Sequence, residues 1–403
     1  MNKTTFFTGQ PIFSQLLKLL PKYRINRIAQ SCGTDHYYKK FKTYDHMVSM
    51  LFTVFLGCTS IREVVTGLMA CGRKLNHLGM VYTPAKSTLS DANCKRDYRV
   101  FEAIYRYLYE KVARSLPDSR SQKWYKKLYI MDSTTIALFQ EILKNSGKSP
   151  MDGKRKGGIK AHTLMKADED VPCLVRFSSG AAHDSPFMKE VDLPKGSVIV
   201  FDRGYSNYKI YNEWTEKQIS FITRLRKKTV YEVRAERELN ASQKQHGIIS
   251  DELVIMGHNH QKTMTKVKAR LIRYYDKQSE KEFAFITNNL RMAPYTITML
   301  YKRRWQIEML FKRIKQNYPL RYFLGDNENA LKIQIWCALI ADLILKTVKQ
   351  QLTRKWAFAN LSSMIRIHLM NYIDFRAFLN APEKSMIQWK RETELLGPNL
   401  FKT

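Results

Sequence analysis

Tyr301, Arg304, Glu308 and Lys315 stand in a stretch where Glu308 is the only acid among six cations: Lys302, Arg303, Arg304, Lys312, Arg313 and Lys315. The cations suit phosphate, and a lone carboxylate would repel it. A divalent metal ion reconciles the two, because the carboxylate binds the metal and the metal binds the phosphate. The chemistry this pattern supports is metal-dependent cleavage or joining of phosphodiesters in nucleic acid. The competing reading is a solvated basic helix face on which Glu308 pairs with Lys312 at i,i+4.

Two further acids share a local pattern. Asp132 ends the apolar run Leu128–Met131 and is followed by Ser133, Thr134 and Thr135. Asp202 ends Val198–Phe201 and is followed by Arg203, Gly204 and Tyr205. A strand end is rigid and holds a carboxylate in place, and an ionised acid beside apolar strands is costly unless paired or coordinated. Two strand-end aspartates and a helical glutamate would bind two Mg²⁺ ions, with Mn²⁺ as a substitute. Such a pair activates water or a 3′ hydroxyl and stabilises the leaving oxygen. Taken singly, either aspartate reads more readily as a surface or capping residue, Asp202 paired with Arg203 or capping a turn and Asp132 capping the turn at Ser133-Thr134; only the joint pattern carries the site.

The elements that must position these residues follow from periodicity. Nothing from Tyr295 to Gln316 breaks a helix, and Pro294 suits its first turn. On one helix, Tyr301, Arg304, Glu308 and Lys315 fall within about 60° of arc. Leu300, Ile307, Leu310, Phe311 and Ile314 form the adjoining apolar stripe. Gly158–Lys166 and Val171–Ser179 flank Ala167-Asp168-Glu169-Asp170 and read as a hairpin. A helix capped by Ser206 and a strand over Ile219–Leu225 follow Asp202. This order indicates an α/β or α+β core. From 227 to about 283, segments beginning at Val230, Glu252, Val267 and Glu282 read as a β-rich insertion.

Residues 1–115 read as mostly helical, with a capping box at Ser60–Glu63 and a weak helix-turn-helix signal through Pro84–Arg96. A polar linker spans Pro117–Lys127. The expected domains are 1–115, 116–350 for the catalytic core, and a helical 351–403.

The chain of 403 residues carries 68 Lys+Arg against 36 Asp+Glu, a net charge of +32. Charge of that size spread along a globular chain points to nucleic acid. The six cysteines show no C-x2-C spacing, which argues against a zinc ribbon or a redox motif. Met47–Cys58 and Ile333–Leu345 are too short for a bilayer span and read as buried helices. A cytoplasmic protein with no membrane partner is expected. No phosphate-cradling Walker loop is present, so ATP dependence is not expected. Lys154–Gly158 with Lys160, His162, and Gly257-His258-Asn259-His260 each read more readily as structural than as functional.

The spacing Tyr301-x2-Arg304-x3-Glu308-x6-Lys315 resembles the YREK signature of insertion-sequence transposases of the DDE superfamily. Asp132-Ser133-Thr134 and Asp202-Arg203-Gly204-Tyr205 resemble the surroundings of their first and second aspartates. The resemblance implies an RNase H-like α/β core interrupted by a β-rich insertion. A helical DNA-binding domain would precede it and a helical region, a candidate dimerisation element, would follow. It also implies cut-and-paste DNA transposition: metal-dependent cleavage at transposon ends, then strand transfer into target DNA. Asp132, Asp202 and Glu308 would bind the metals. Arg304 and Lys315 would meet phosphates of the DNA ends beside Tyr301, and Arg203 and Tyr205 join them as expected DNA contacts. The implied partners are double-stranded DNA, as transposon inverted-repeat ends and as target, and a second copy in a homodimeric synaptic complex associated with the nucleoid. A hairpin intermediate would need an aromatic to stack an extruded base, for which Tyr231, Tyr274 and Tyr275 are the candidates. The rival readings are an RNase H-like nuclease that cuts without joining, and a catalytically silent DNA-binding descendant.

Overall fold

The computed structural model describes residues 6–116, 127–137, 158–257 and 265–384. The expected linker over 117–126, most of the basic loop before Gly158, His258 to His260, and the tail beyond 384 lie outside the described residues. What is described forms two compact units. One takes 6–116 with 313–384, and the other takes 127–312.

The second unit is built on a nine-stranded sheet in the order β3-β2-β1-β4-β5-β9-β8-β7-β6. Its first half comprises β1 (Leu128–Ala137), β2 (Gly158–Lys166), β3 (Val171–Ser179), β4 (Val198–Phe201) and β5 (Ser220–Arg224). β1, β4 and β5 run parallel, whereas β2 pairs antiparallel with β1 and β3 antiparallel with β2. That order and those directions are RNase H-like. The β2–β3 hairpin falls where the sequence placed it, and Asp170 closes its turn at φ 53°. Val198–Phe201 is buried at every position, as a central parallel strand requires.

The insertion strands are β6 (Tyr231–Glu236), β7 (Ile248–Met256), β8 (Val267–Asp276) and β9 (Lys281–Thr287). They do not form a separate sheet. β9 pairs antiparallel with β5 through Ile222↔Thr287 to Arg224↔Phe285, so the insertion extends the catalytic sheet. The outermost strand, β6, leaves Glu232 to Glu236 exposed.

In the first unit, α1 (Ile12–Leu17), α2 (Lys22–Ser31), α3 (Thr43–Leu56), α4 (Ile61–Cys71), α5 (Lys86–Lys95) and α6 (Arg99–Val112) precede the sheet in the chain. Ser60 caps α4 by accepting the Glu63 N–H, but the Glu63 carboxylate returns to the N–H of Thr59 rather than that of Ser60. In the sheet unit, α7 (Tyr208–Glu216) is capped by Asn207, not Ser206, through the Ile210 N–H. The insertion also holds the short α8 (Ala241–Gln245).

The expected helix over 295–316 is two helices, α9 (Pro294–Lys302) and α10 (Trp305–Asn317). No Gly or Pro causes the break. Between them the main chain tightens to i→i−3 bonds, Arg303 to Leu300, Arg304 to Tyr301, Gln306 to Arg303 and Ile307 to Arg304. The break places Arg304 where its side chain reaches two acids, described below. The expected apolar stripe is buried at Leu300, Ile307, Leu310 and Ile314.

The boundary expected at 350 is displaced. α11 (Glu328–Gln350) is buried on nearly every face, so it needs neighbours on all sides. It packs on α3, α5 and α6 within the helical unit, with α12 (Phe358–His368) beside it. α13 (Phe375–Asn380) completes the described chain. Among the described residues no single helix is long and apolar enough to cross a membrane.

Candidate active site

Asp132 and Asp202 are brought together by register. The β1–β4 pairing ends at Met131↔Phe201, and the next residue on each strand is an aspartate. Two neighbouring parallel strands thus deliver two carboxylates side by side. Asp202 ends its strand as expected. Asp132 does not: β1 continues to Ala137, held there by β2 alone. The two strands part at Asp132, which opens the space its side chain occupies.

Glu308 joins them through Arg304. The guanidinium donates from Nη1 to Asp132 Oδ2 at 2.7 Å and from Nη2 to Glu308 Oε1 at 2.5 Å. Arg304 thus sits between two of the three proposed metal ligands. Burial is the main cause that pushes the Asp132 carboxyl up to about 6. The Ser133 N–H, donating to Oδ1 at 2.8 Å, and Arg304 oppose that shift, while Asp202 and Glu308 add to it. Asp132 and Glu308 help raise the Arg304 pKa against its own desolvation.

Three hard carboxylates on rigid elements suit Mg²⁺. Among the described residues, however, no three metal-binding side chains meet at one point. A planar monovalent cation fills the gap that mutually repelling acids would otherwise leave. Asp132, Asp202 and Glu308 fit a divalent metal by donor type, and Arg304 occupies the place between Asp132 and Glu308. Arg304 Nε and the Tyr301 hydroxyl are both buried and without a hydrogen-bond partner among the described residues. Orphaned polar atoms of that kind at a charged site point to a group still to arrive.

The other expected contacts divide. Tyr301 packs its ring on Phe285, with centroids 4.9 Å apart, and burial raises its pKa to about 12. Arg203 is exposed beside Asp202. Lys315 is exposed two turns beyond Glu308 on α10. Tyr205 is a correction. It is 1% exposed, its ring meets Phe201 and His162, and its hydroxyl lies 3.3 Å from His162 Nδ1. It belongs to the core beneath the turn, where DNA has no access. His162 is structural, as expected: Nε2 lies 2.8 Å from Ser178 Oγ and the ring stacks on Phe187. Of the stacking candidates, Tyr274 is buried, Tyr231 accepts from Arg273, and Tyr275 alone is largely exposed.

Three residues here gave no sequence signal. Asp184 accepts from Ser133 Oγ at 3.0 Å and pairs with Lys160 at 3.1 Å. A methyl on Gly204 would lie 3.2 Å from Asp184 Oδ2 and 3.9 Å from Asp202 Oδ2, so Gly204 lets a fourth acid approach. Arg226 donates to the carbonyls of Arg203 and Gly204 at 2.7 and 2.8 Å and clamps the turn that carries Asp202. Arg224 lies over the Phe283 ring at 4.9 Å. Arg203, Arg224 and Arg226 line one small cleft with Tyr208 and Thr223. Single residues scattered in this way over loops and a strand end carry no periodicity, so only the fold assembles them.

The chain is similar to known proteins along most of its length. The family described as Transposase DDE domain matches residues 124–343, and one described as a domain of unknown function matches 8–81. A protein named as a transposase in Sinorhizobium fredii is 28% identical over 265 residues, 66% of this chain and 71% of its own length. One named as a transposase for an insertion sequence element in Geobacillus stearothermophilus is 25% identical over 276 residues, 68% and 70% respectively. Another so named in Synechocystis is 25% identical over 324 residues, 77% and 85%. A cryo-EM structure of a piggyBac transposase synaptic complex with hairpin DNA aligns with 100% of this chain and 89% of that one, at 11% identity and a TM-score of 0.45.

Proposed function

This chain belongs to the family of transposases with a DDE domain, and on that premise we propose that it cuts DNA at transposon ends and transfers the freed strands into target DNA by a cut-and-paste route. One observation carries this: two aspartates stand side by side at the end of the β1–β4 pairing, and a glutamate is linked to the first of them by one guanidinium.

Asp132, Asp202 and Glu308 would hold two Mg²⁺ ions, or Mn²⁺ in their place, and such ions would supply activation of the attacking hydroxyl and stabilisation of the leaving oxygen. Arg304 is the residue that must change partners. In the free protein its fork neutralises Asp132 and Glu308. In the loaded site the same fork, with Nε, turns to phosphate oxygens, which match its bidentate geometry. Tyr301 presents its unpartnered hydroxyl beside that fork, and Arg203 and Lys315 add phosphate contacts. Tyr205 and Arg226 hold the Asp202 turn from beneath and beside it. The protein works on paired ends as a homodimer at the nucleoid.

The test uses purified full-length protein and duplexes covering the DNA that flanks the coding region. Mg²⁺-dependent nicking at the element boundary is expected, with joining of pre-cut ends to a plasmid. Cutting without joining would leave a nuclease. Unimpaired cleavage by Asp202→Asn would remove the proposed site.

A further inference from the structure

α2 and the segment that follows it carry a surface the catalytic site does not use. Residues 18–42 hold seven cations, Lys18, Lys22, Arg24, Arg27, Lys39, Lys40 and Lys42, and one acid, Asp35. Asp35 is turned inward, accepting from the N–H and hydroxyl of Thr43 at 2.8 Å each and lying 3.5 Å from the buried Arg96. Lys22 is tied to the Gly79 carbonyl. Arg24, Arg27, Lys39 and Lys40 are exposed, and none is within ion-pair distance of a carboxylate among the described residues.

The helix itself is sorted by face. Ile25 and Ala29 are fully buried and Ile28 is half-buried, which fixes the inward side. Tyr23, Asn26, Arg27 and Gln30 are all exposed and follow at i, i+3, i+4 and i+7, one continuous outward stripe. Arginine, asparagine and glutamine are the side chains whose paired donors and acceptors match guanine and adenine edges in the major groove. Tyr37, Lys39 and Lys40 stand exposed on the segment leading to α3, and Tyr37 is 90% exposed. By contrast α5, in the segment with the helix-turn-helix signal, exposes Lys86, Ser87, Asp91 and Lys95, and Asp91 already pairs with Lys95 at 3.5 Å.

We infer that α2 is the helix that reads duplex DNA sequence at the transposon ends, with Asn26, Arg27 and Gln30 on base edges and Lys39 and Lys40 on the flanking phosphates. The occupant is double-stranded DNA because the surface combines uncompensated positive charge with base-matching amides on a ten-residue helix. The inference rests on the transposase reading above, in that it assigns which element finds the ends.

The test is fluorescence anisotropy with full-length protein. The probes are a 40-base-pair duplex, about four helical turns, taken from the DNA bordering the coding region, and a shuffled duplex of equal length. Asn26→Ala/Arg27→Ala/Gln30→Ala should lose about tenfold or more of the preference for border DNA while binding the shuffled duplex within about threefold of wild type. Lys39→Ala/Lys40→Ala should weaken both probes alike and lower the salt slope by about two. All five positions are exposed, and unchanged thermal melting confirms the fold of each variant. If the triple variant keeps the wild-type preference, α2 does not read the ends and this inference alone fails. If wild-type protein binds no duplex, or does not distinguish border DNA, the transposase reading fails with it.

Discussion

Each unit buries an ionisable group, and the two titrate in opposite directions. In the helical unit His46 is fully buried against Asn93, its Nε2 2.7 Å from Oδ1, and burial pushes its pKa down to about 3. In the sheet unit Asp132 is half-buried near two other acids, and desolvation pushes its pKa up to about 6. The folded helical unit therefore binds fewer protons at His46 than the unfolded chain, and stability is lost as pH falls below 6.5. The folded sheet unit binds more protons at Asp132, and stability is lost as pH rises from 3.8 towards 6. Near neutrality the histidine sits at no titration cost, and the aspartate sits at a cost the fold tolerates.

The largest effect that would sharpen the contrast belongs to the sheet unit. Glu308→Gln should lower end cleavage by about a thousandfold, roughly 4 kcal/mol of transition-state stabilisation, with melting little changed. A loss of less than tenfold would remove Glu308 from the chemistry. Next comes acid sensitivity in the helical unit: at pH 4 His46 should cost about 3 kcal/mol of stability relative to pH 7. Urea titrations of wild type and His46→Gln at both pH values measure it. Equal acid losses in the two proteins would break the comparison. The third effect has the opposite sign. In metal-free buffer at pH 7, Asp132→Asn should stabilise by about 2 kcal/mol and abolish cleavage. A destabilised variant would show that the pair with Arg304 outweighs the burial cost. The smallest is local: Asn207→Ala removes the α7 cap and should cost about 1 kcal/mol, read as a lower urea midpoint.

The sequence revealed most where a pattern is local and repeated. The β2–β3 hairpin, Val198–Phe201 and the two buried helices α3 and α11 followed from runs and alternation. Asp202 follows directly on a strand end, as its apolar run announced; at Asp132 the same pattern misleads, because β1 runs on to Ala137 through its pairing with β2. What stayed hidden depended on contacts between distant residues. The break between α9 and α10 has no breaker residue and goes with Arg304 reaching Asp132, 172 positions away. The joining of the insertion to the main sheet needs the β5–β9 pairing, which no local pattern encodes. Tyr205 is buried although Arg203, two residues before it, is exposed, and no local pattern separates the two. Asp184 comes close to the site beside Gly204, where a side chain would press on its carboxylate.

The outer rim of the sheet has its own consequence. β6 ends the ladder with Glu232, Arg234 and Glu236 at alternate exposed positions, the first two joined at 2.7 Å. An unpaired strand is an open template for another chain, and charges along it deter addition. Such zippering begins wherever copies of a chain meet edge to edge. These three side chains act as a guard rail, and replacing them with threonine or valine would trade a well-behaved assembly for an adhesive one.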